Sequence, residues 1–257
     1  MLSATGGDGP TAEAPWVLAF SQVFRGNALF AALKKLGYRT LLVTAKQWLD
    51  SPWDRGVIDE IFALPRFDDL ELVRHGVAYL LRSRKFARVF TIDDPGVELS
   101  AHVREYFQIG GMGETTARRF RDKLAMRTAA RDAGVPVPEF SATFHDADVN
   151  AYLASVPGPW LIKPRSEFLS KGIQRVADRD AVWRALDGLG DARASHLIER
   201  YVPGDVFHVD SVICDGKVRF AEAHGYQTPL LDVVQSGGMM VTATVERAGR
   251  IVARAQQ

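Results

Sequence analysis

Asp122-Lys123-Leu124-Ala125-Met126-Arg127, Trp160-Leu161-Ile162-Lys163-Pro164-Arg165-Ser166 and His196-Leu197-Ile198-Glu199-Arg200-Tyr201-Val202-Pro203-Gly204-Asp205 are the stretches whose reading decides the fold. Each sets a charged residue at the edge of an apolar run. Pro157-Gly158-Pro159 and Pro164 bracket Trp160 to Ile162, which predicts a brief buried strand that holds the Lys163 ammonium inside a cleft. Leu197-Ile198 likewise delivers Glu199 to the turn at Tyr201-Val202-Pro203-Gly204. Ala117, Phe120, Leu124, Arg127 and Ala130 recur at helical spacing until Gly134-Val135-Pro136 stops the run, so Lys123 lies on a helix predicted over 114–133. Taken alone, each of the three charges has a plain alternative: a solvated group at the end of an element, since lysine and glutamate are seldom buried.

In order and spacing these pieces resemble the ATP-grasp superfamily, the carboxylate–amine and carboxylate–thiol ligases that include biotin carboxylase, carbamoyl phosphate synthetase and D-alanine–D-alanine ligase. The helix of Lys123 and its exit Gly134-Val135-Pro136-Val137-Pro138 resemble that family's entry into the small ATP-binding subdomain. Trp160 to Pro164 resembles its second lysine strand, and Leu197 to Val202 with Gly204-Asp205 its adenine hinge. The resemblance implies ATP as cofactor, with Lys123 and Lys163 neutralising phosphate oxygens as point charges. Glu199 would take the adenine amine, and the backbone of Arg200, Tyr201 and Val202 would offer the donor and acceptor that an adenine edge needs. Asp205 would accept from the ribose hydroxyls, and Gly204 permits the tight turn between them.

The family's loop after the second lysine folds over the triphosphate with its backbone amides. Here that loop, Ser166-Glu167-Phe168-Leu169-Ser170-Lys171-Gly172, has one glycine where relatives often have several. Ser170, Lys171 and Gly172 would supply a hydroxyl, an ammonium and a closely approaching amide; a plain β-hairpin loop is the alternative reading.

Composition narrows the classes further. The chain has 257 residues, 47% hydrophobic and 25% charged, enough for one large or two to three small domains. Its 32 basic and 31 acidic residues leave a net charge of +1, so no electrostatic footprint points to nucleic acid or to a membrane surface. One cysteine, Cys214, allows neither an intrachain disulfide nor a cysteine-based zinc site, which fits a reducing cytoplasm. No run has the length of a membrane span and the start of the chain has no signal-peptide core; residues 1–15 are expected to be disordered.

Residues 16–113 alternate short apolar runs with helical patterns, which predicts a Rossmann-like parallel sheet covered on both faces. The loop Ser21 to Asn27 lacks the Gly-x-Gly-x-x-Gly spacing of a dinucleotide site. Asp93-Asp94-Pro95-Gly96 is a paired-carboxylate candidate, against the simpler reading of a helix start with Asp94 as cap and Pro95 at the first helical position. Gly110-Gly111-Met112-Gly113 reads as a hinge.

Beyond the hinge, 114–202 reads as a small α+β subdomain, with Asp146 a candidate cap for the helix that follows it. Residues 203–257 read as the start of an antiparallel-sheet subdomain, with a hairpin at Asp215-Gly216 and a last strand over Met239 to Val245. His208 and Asp210, two apart, share one face of a strand; half-exposed sheet residues are the favoured reading, because no third metal ligand follows at suggestive spacing.

The expected fold class is thus α/β and α+β: a Rossmann-like pre-ATP-grasp domain, then an ATP-grasp domain whose antiparallel-sheet subdomain is incomplete. In the family the magnesium ligands, an acidic residue and a Glu-x-Asn pair, lie on later strands, and Arg247 to Gln257 contains no aspartate, glutamate or asparagine. The chain therefore reads as a fragment of a longer ligase, with Mg2+ ligands beyond its end, or as a short relative that binds nucleotide without catalysis. The reaction implied by the resemblance joins a small carboxylate to an amine through an acylphosphate, releasing ADP and phosphate, and a homodimer is allowed.

Overall fold

The computed structural model describes residues 14–245, so the expectations for the first thirteen residues and for Arg247 to Gln257 fall outside the described residues. The chain divides into two compact units between Arg121 and Asp122. The first unit takes in the helix 114–121, where the sequence reading began the second domain.

In the first unit, β1 (Trp16–Ser21), β2 (Arg39–Ala45), β3 (Glu60–Leu64) and β4 (Phe86–Thr91) form one sheet in the order β3-β2-β1-β4. Every pairing in it is parallel. Val17, Leu18, Ala19 and Phe20 are all buried because helices cover both faces of a parallel sheet. Leu18, Phe20, Leu41 and Val43 pack with Val73, Val77 and Leu80 of α2 (Leu70–Leu81) and with Leu99 and Val103 of α3 (Gly96–Tyr106). Ala19 and Leu42 point the other way, onto Phe30 of α1 (Asn27–Lys35), Trp53 and Ile58. The alternation along β1 assigns each residue its side, as the period of two requires.

The acidic pair at the end of β4 takes a different arrangement from the predicted one. Asp93, buried, accepts the Gly96 amide at 3.0 Å and the Gln22 amide with its second oxygen. Asp94 instead meets Arg121 of α4 (Glu114–Arg121) at 2.5 Å. The cap is Asp93 because an N-cap oxygen reaches the amide three residues on, and Pro95 has already entered helical backbone at φ −59°.

The second unit holds two antiparallel sheets. The first has the order β5-β8-β6-β7, from β5 (Phe140–Ala142), β6 (Trp160–Pro164), β7 (Gln174–Val176) and β8 (His196–Arg200). Trp160, Ile162 and Ile198 bury one face under Val149, Tyr152 and Leu153 of α6 (Asp146–Ser155) and Val182 and Leu186 of α7 (Arg179–Leu189). The second sheet has the order β11-β10-β9, from β9 (Phe207–Cys214), β10 (Lys217–Tyr226) and β11 (Thr242–Thr244). Asp215 and Gly216, at φ 52° and 69°, make the expected tight turn of its hairpin. A short helix, α8 (Leu230–Ser236), precedes β11, and the predicted last strand shrinks to three residues.

Two predicted helix starts change. The single helix over 114–133 is broken at Asp122, which takes extended backbone (φ −83°, ψ 109°) and caps α5 (Lys123–Asp132) by accepting from Leu124 and Ala125. Asp146 is not the cap of α6: His145 holds that position without a side-chain bond, and the Asp146 carboxylate pairs with Arg193. The expected combination of a parallel α/β sheet with antiparallel α+β sheets holds.

Candidate nucleotide site

Strand register explains how Lys163 and Glu199 meet. Glu199 lies opposite Leu161 on the β6–β8 ladder, and Lys163 is two residues beyond Leu161, so both side chains leave the same face and are diagonal neighbours. That face is the one turned away from Ile162 and Ile198. Lys163 Nζ donates to Glu199 Oε1, and Arg127 Nε, from α5, donates to Oε2 at 3.1 Å. Glu199 is 3% exposed, a burial that a carboxylate sustains only when paired. Two cations and one anion leave the cluster with one formal positive charge. Glu199 also acts on Tyr152: burial first, then the charges of Glu139 and Glu199, push this phenol well above its ordinary value. The Tyr152 hydroxyl donates to the Glu139 carbonyl at 2.9 Å.

Lys123 goes elsewhere. At the first turn of α5, its Nζ donates to the carbonyl of Glu167 at 2.5 Å and lies 3.5 Å from that of Arg165, so it ties the helix to the base of the β6–β7 loop. The same junction is locked by Asp122. Its carboxylate takes Arg165 Nε at 2.9 Å and Arg165 Nη2 while it caps the Leu124 amide at 3.0 Å. Burial alone would raise the pKa of Asp122, but the hydrogen bond and charge of Arg165, with the Ala125 and Leu124 amides, hold it below the usual carboxylate range. Arg165 reaches on to the Ala194 carbonyl at 3.2 Å. Asp122, Pro164, Arg165, Ser166, Glu167, Ser195 and His196 line a cavity of about 480 Å3.

The loop over residues 166–172 is a hairpin between antiparallel strands whose tip carries Leu169, Ser170 and Gly172 at positive φ (53°, 55° and 72°). Phe168 and Leu169 are exposed, at 47% and 55%. After Glu199, two backbone donors are already engaged: the Arg200 amide donates to the Glu139 carbonyl at 2.9 Å, and the Tyr201 amide to the Pro159 carbonyl at 3.0 Å. The Val202 amide has no backbone partner among the described residues, and its residue is exposed. The Arg175 guanidinium lies 4.0 Å over the Tyr201 ring. Asp205 follows Gly204, whose φ of 143° no side-chain-bearing residue adopts readily, and is exposed.

Of the sequence-predicted residues, then, Lys163 and Glu199 are in direct contact. Lys123 serves the loop that carries Ser170, Lys171 and Gly172, and Arg200, Tyr201, Val202 and Asp205 follow on from Glu199. Sequence reasoning missed Arg127, Asp122 and Arg165. The signal for Arg127 was present: a guanidinium stands at a position of the helical apolar repeat, where a charge needs a buried partner.

This arrangement of a parallel-sheet unit followed by two antiparallel sheets is the ATP-grasp fold, and proteins similar to the chain include ATP-grasp carboxylate–amine ligases. The chain is 24% identical over 182 residues to an L-arginine-specific L-amino acid ligase of Bacillus subtilis, a match that covers 67% of the chain and 43% of the relative. An L-amino acid ligase of Bacillus licheniformis superimposes with a TM-score of 0.73 at 19% identity, over 96% of the chain and 59% of that structure. N5-carboxyaminoimidazole synthetase of Staphylococcus aureus, in complex with ADP, does so at 0.68 and 12% identity, over 94% and 61%. The chain thus spans about 43% to 61% of the length of these proteins. No family model matches it.

Proposed function

We propose that the chain works as an ATP-dependent ligase that joins a carboxylate to an amine, with amino acids as the substrate class. A carboxylate oxygen of the first substrate attacks the terminal phosphorus of ATP and ADP leaves. The amine of the second then attacks the acyl carbon, and phosphate departs as the amine gives up a proton. Lys123 and Lys163 neutralise phosphate oxygens, with Ser170, Lys171 and Gly172 closing over them. The adenine rests against Glu199, Arg200, Tyr201 and Val202, where the Val202 amide is the available donor, and Asp205 holds the ribose. The reading rests chiefly on one observation: a buried carboxylate between two cations, with net positive charge, at the entry to an open backbone segment. Two amino acid ligases among the similar proteins support the substrate class, and the ADP-bound synthetase supports the nucleotide. The single cysteine fits a cytoplasmic setting.

Magnesium, when bound with ATP, would supply positive charge that neutralises its phosphates. It requires oxygen ligands. The cluster of potential ligands found among the described residues contains two imidazoles, so no described side chain is assigned to magnesium.

Titration calorimetry with ADP and Mg2+ tests the reading. Binding should be saturable and weaken at least about tenfold in Lys163→Ala, a loss of roughly 1.4 kcal/mol. No heat with the native chain, or an unchanged affinity in the variant, refutes it. The glycine-poor loop with exposed Phe168 and Leu169 favours a second reading, a nucleotide-binding protein without turnover. Phosphate release from ATP in the presence of amino acid pairs separates the two.

A further inference from the structure

The hairpin of β9 and β10 brings together three side chains that neither the nucleotide site nor the core uses. His208 lies directly opposite His224 on the ladder, and Asp210 is two residues along β9 from His208. A pair at i and i+2 plus the cross-strand neighbour of one of them puts three side chains on a single face of the sheet. The potential ligand atoms of the three all lie within 4.8 Å of one another. Asp210 Oδ2 is 3.6 Å from His208 Nε2 and 3.9 Å from His224 Nε2. The imidazoles stack at 5.0 Å between centroids. Their other nitrogens are turned away: His224 Nδ1 is 3.4 Å from the Thr244 hydroxyl, and His208 Nδ1 is buried without a partner among the described residues. Both rings present Nε2 to the same carboxylate oxygen.

We infer that His208, Asp210 and His224 form a binding site for a divalent transition-metal ion, with Zn2+ as the type ion. Bond lengths of about 2.0–2.2 Å in tetrahedral geometry put neighbouring ligand atoms about 3.4 Å apart. The two carboxylate spacings are nearly there, and rotation of the two half-buried rings closes the third. Two nitrogens and one carboxylate oxygen suit zinc, cobalt or nickel and not magnesium or calcium. Three protein ligands leave a coordination position open to a carboxylate, a phosphate oxygen or water. The hydroxyl of Thr244 on His224 Nδ1 is the kind of outer partner that orients a ligating imidazole.

The test is titration of the chain with Co2+ and with Zn2+ in the presence of excess Mg2+. One equivalent of Co2+ should bring up visible d–d absorption, Zn2+ should bleach it, and Zn2+ should raise the melting temperature. Asp210→Asn and His224→Ala should each weaken Zn2+ binding by more than the roughly 10–100-fold that loss of an outer partner costs, and Thr244→Val by about tenfold. Cys214→Ser, which removes the exposed thiol at the end of β9, should bind as the native chain does. Far-UV circular dichroism without metal should be the same for all four variants. Binding that is absent from the native chain, survives in both ligand variants, or disappears with Cys214 overturns the assignment.

Discussion

Replacing Asp122 should loosen the junction on which the β6–β7 loop stands. The carboxylate caps α5 through the Leu124 amide at 3.0 Å and holds Arg165 by two of its nitrogens, one at 2.9 Å. Loss of a helix cap costs about 1 kcal/mol. Loss of hydrogen bonds to a charged partner costs about 1.5–3 kcal/mol. The lower end applies here, because the Arg165 side chain is 25% exposed and water can take over part of its solvation. Asp122→Ala should therefore destabilise the second unit by about 2.5 kcal/mol, and Asp122→Asn, which keeps a capping oxygen, by about half that.

The pH dependence carries a sign. The folded carboxyl of Asp122 titrates below its ordinary value, so its contribution is complete above the unfolded value of about 3.9 and disappears as pH falls through the folded one. The gap between native and Asp122→Ala should be full at neutral pH and shrink below about pH 4. Because the two units need not unfold together, the assay is local: hydrogen exchange at the amides of α5 and β6, read by mass spectrometry at neutral and acid pH. A difference under about 0.5 kcal/mol at neutral pH, or one that persists undiminished in acid, would refute the argument.

Glu199→Ala removes the anion between Lys163 and Arg127 and should cost about 3 kcal/mol, the low end for a broken buried pair because Arg127 is 24% exposed; urea denaturation of the second unit measures it. Gly96→Ala would set a methyl 2.0 Å from Thr91 Oγ1 and 2.8 Å from its Cβ, so the first unit should lose about 2 kcal/mol or more on thermal denaturation, with ADP binding unaffected.

Much of the architecture was legible because it follows local rules. Trp16 to Phe20 is apolar throughout, as a strand covered on both faces must be, and Pro157-Gly158-Pro159 marks the start of the lysine strand. Asp215-Gly216 announced its hairpin. Where Asp122, Asp93 and Asp146 stand near helix starts, the sequence offers a capping acid each time, but which acid takes the amide depends on where competing arginines lie. Arg121 claims Asp94 and Arg193 claims Asp146, whereas Asp122 caps α5 and binds Arg165 at once.

The identity of the charged residues and the order of strands and helices were determined by the sequence alone, since periodicity and turn chemistry act over a few residues. Which charges meet was decided by tertiary structure. Register across β6 and β8 brings Lys163 to Glu199 over 36 positions, α5 adds Arg127 over 72, and the β9–β10 ladder sets His224 opposite His208. Hydrogen-bonded ion pairs form only between atoms a few ångströms apart, and a linear chain records separation along itself, not separation in space.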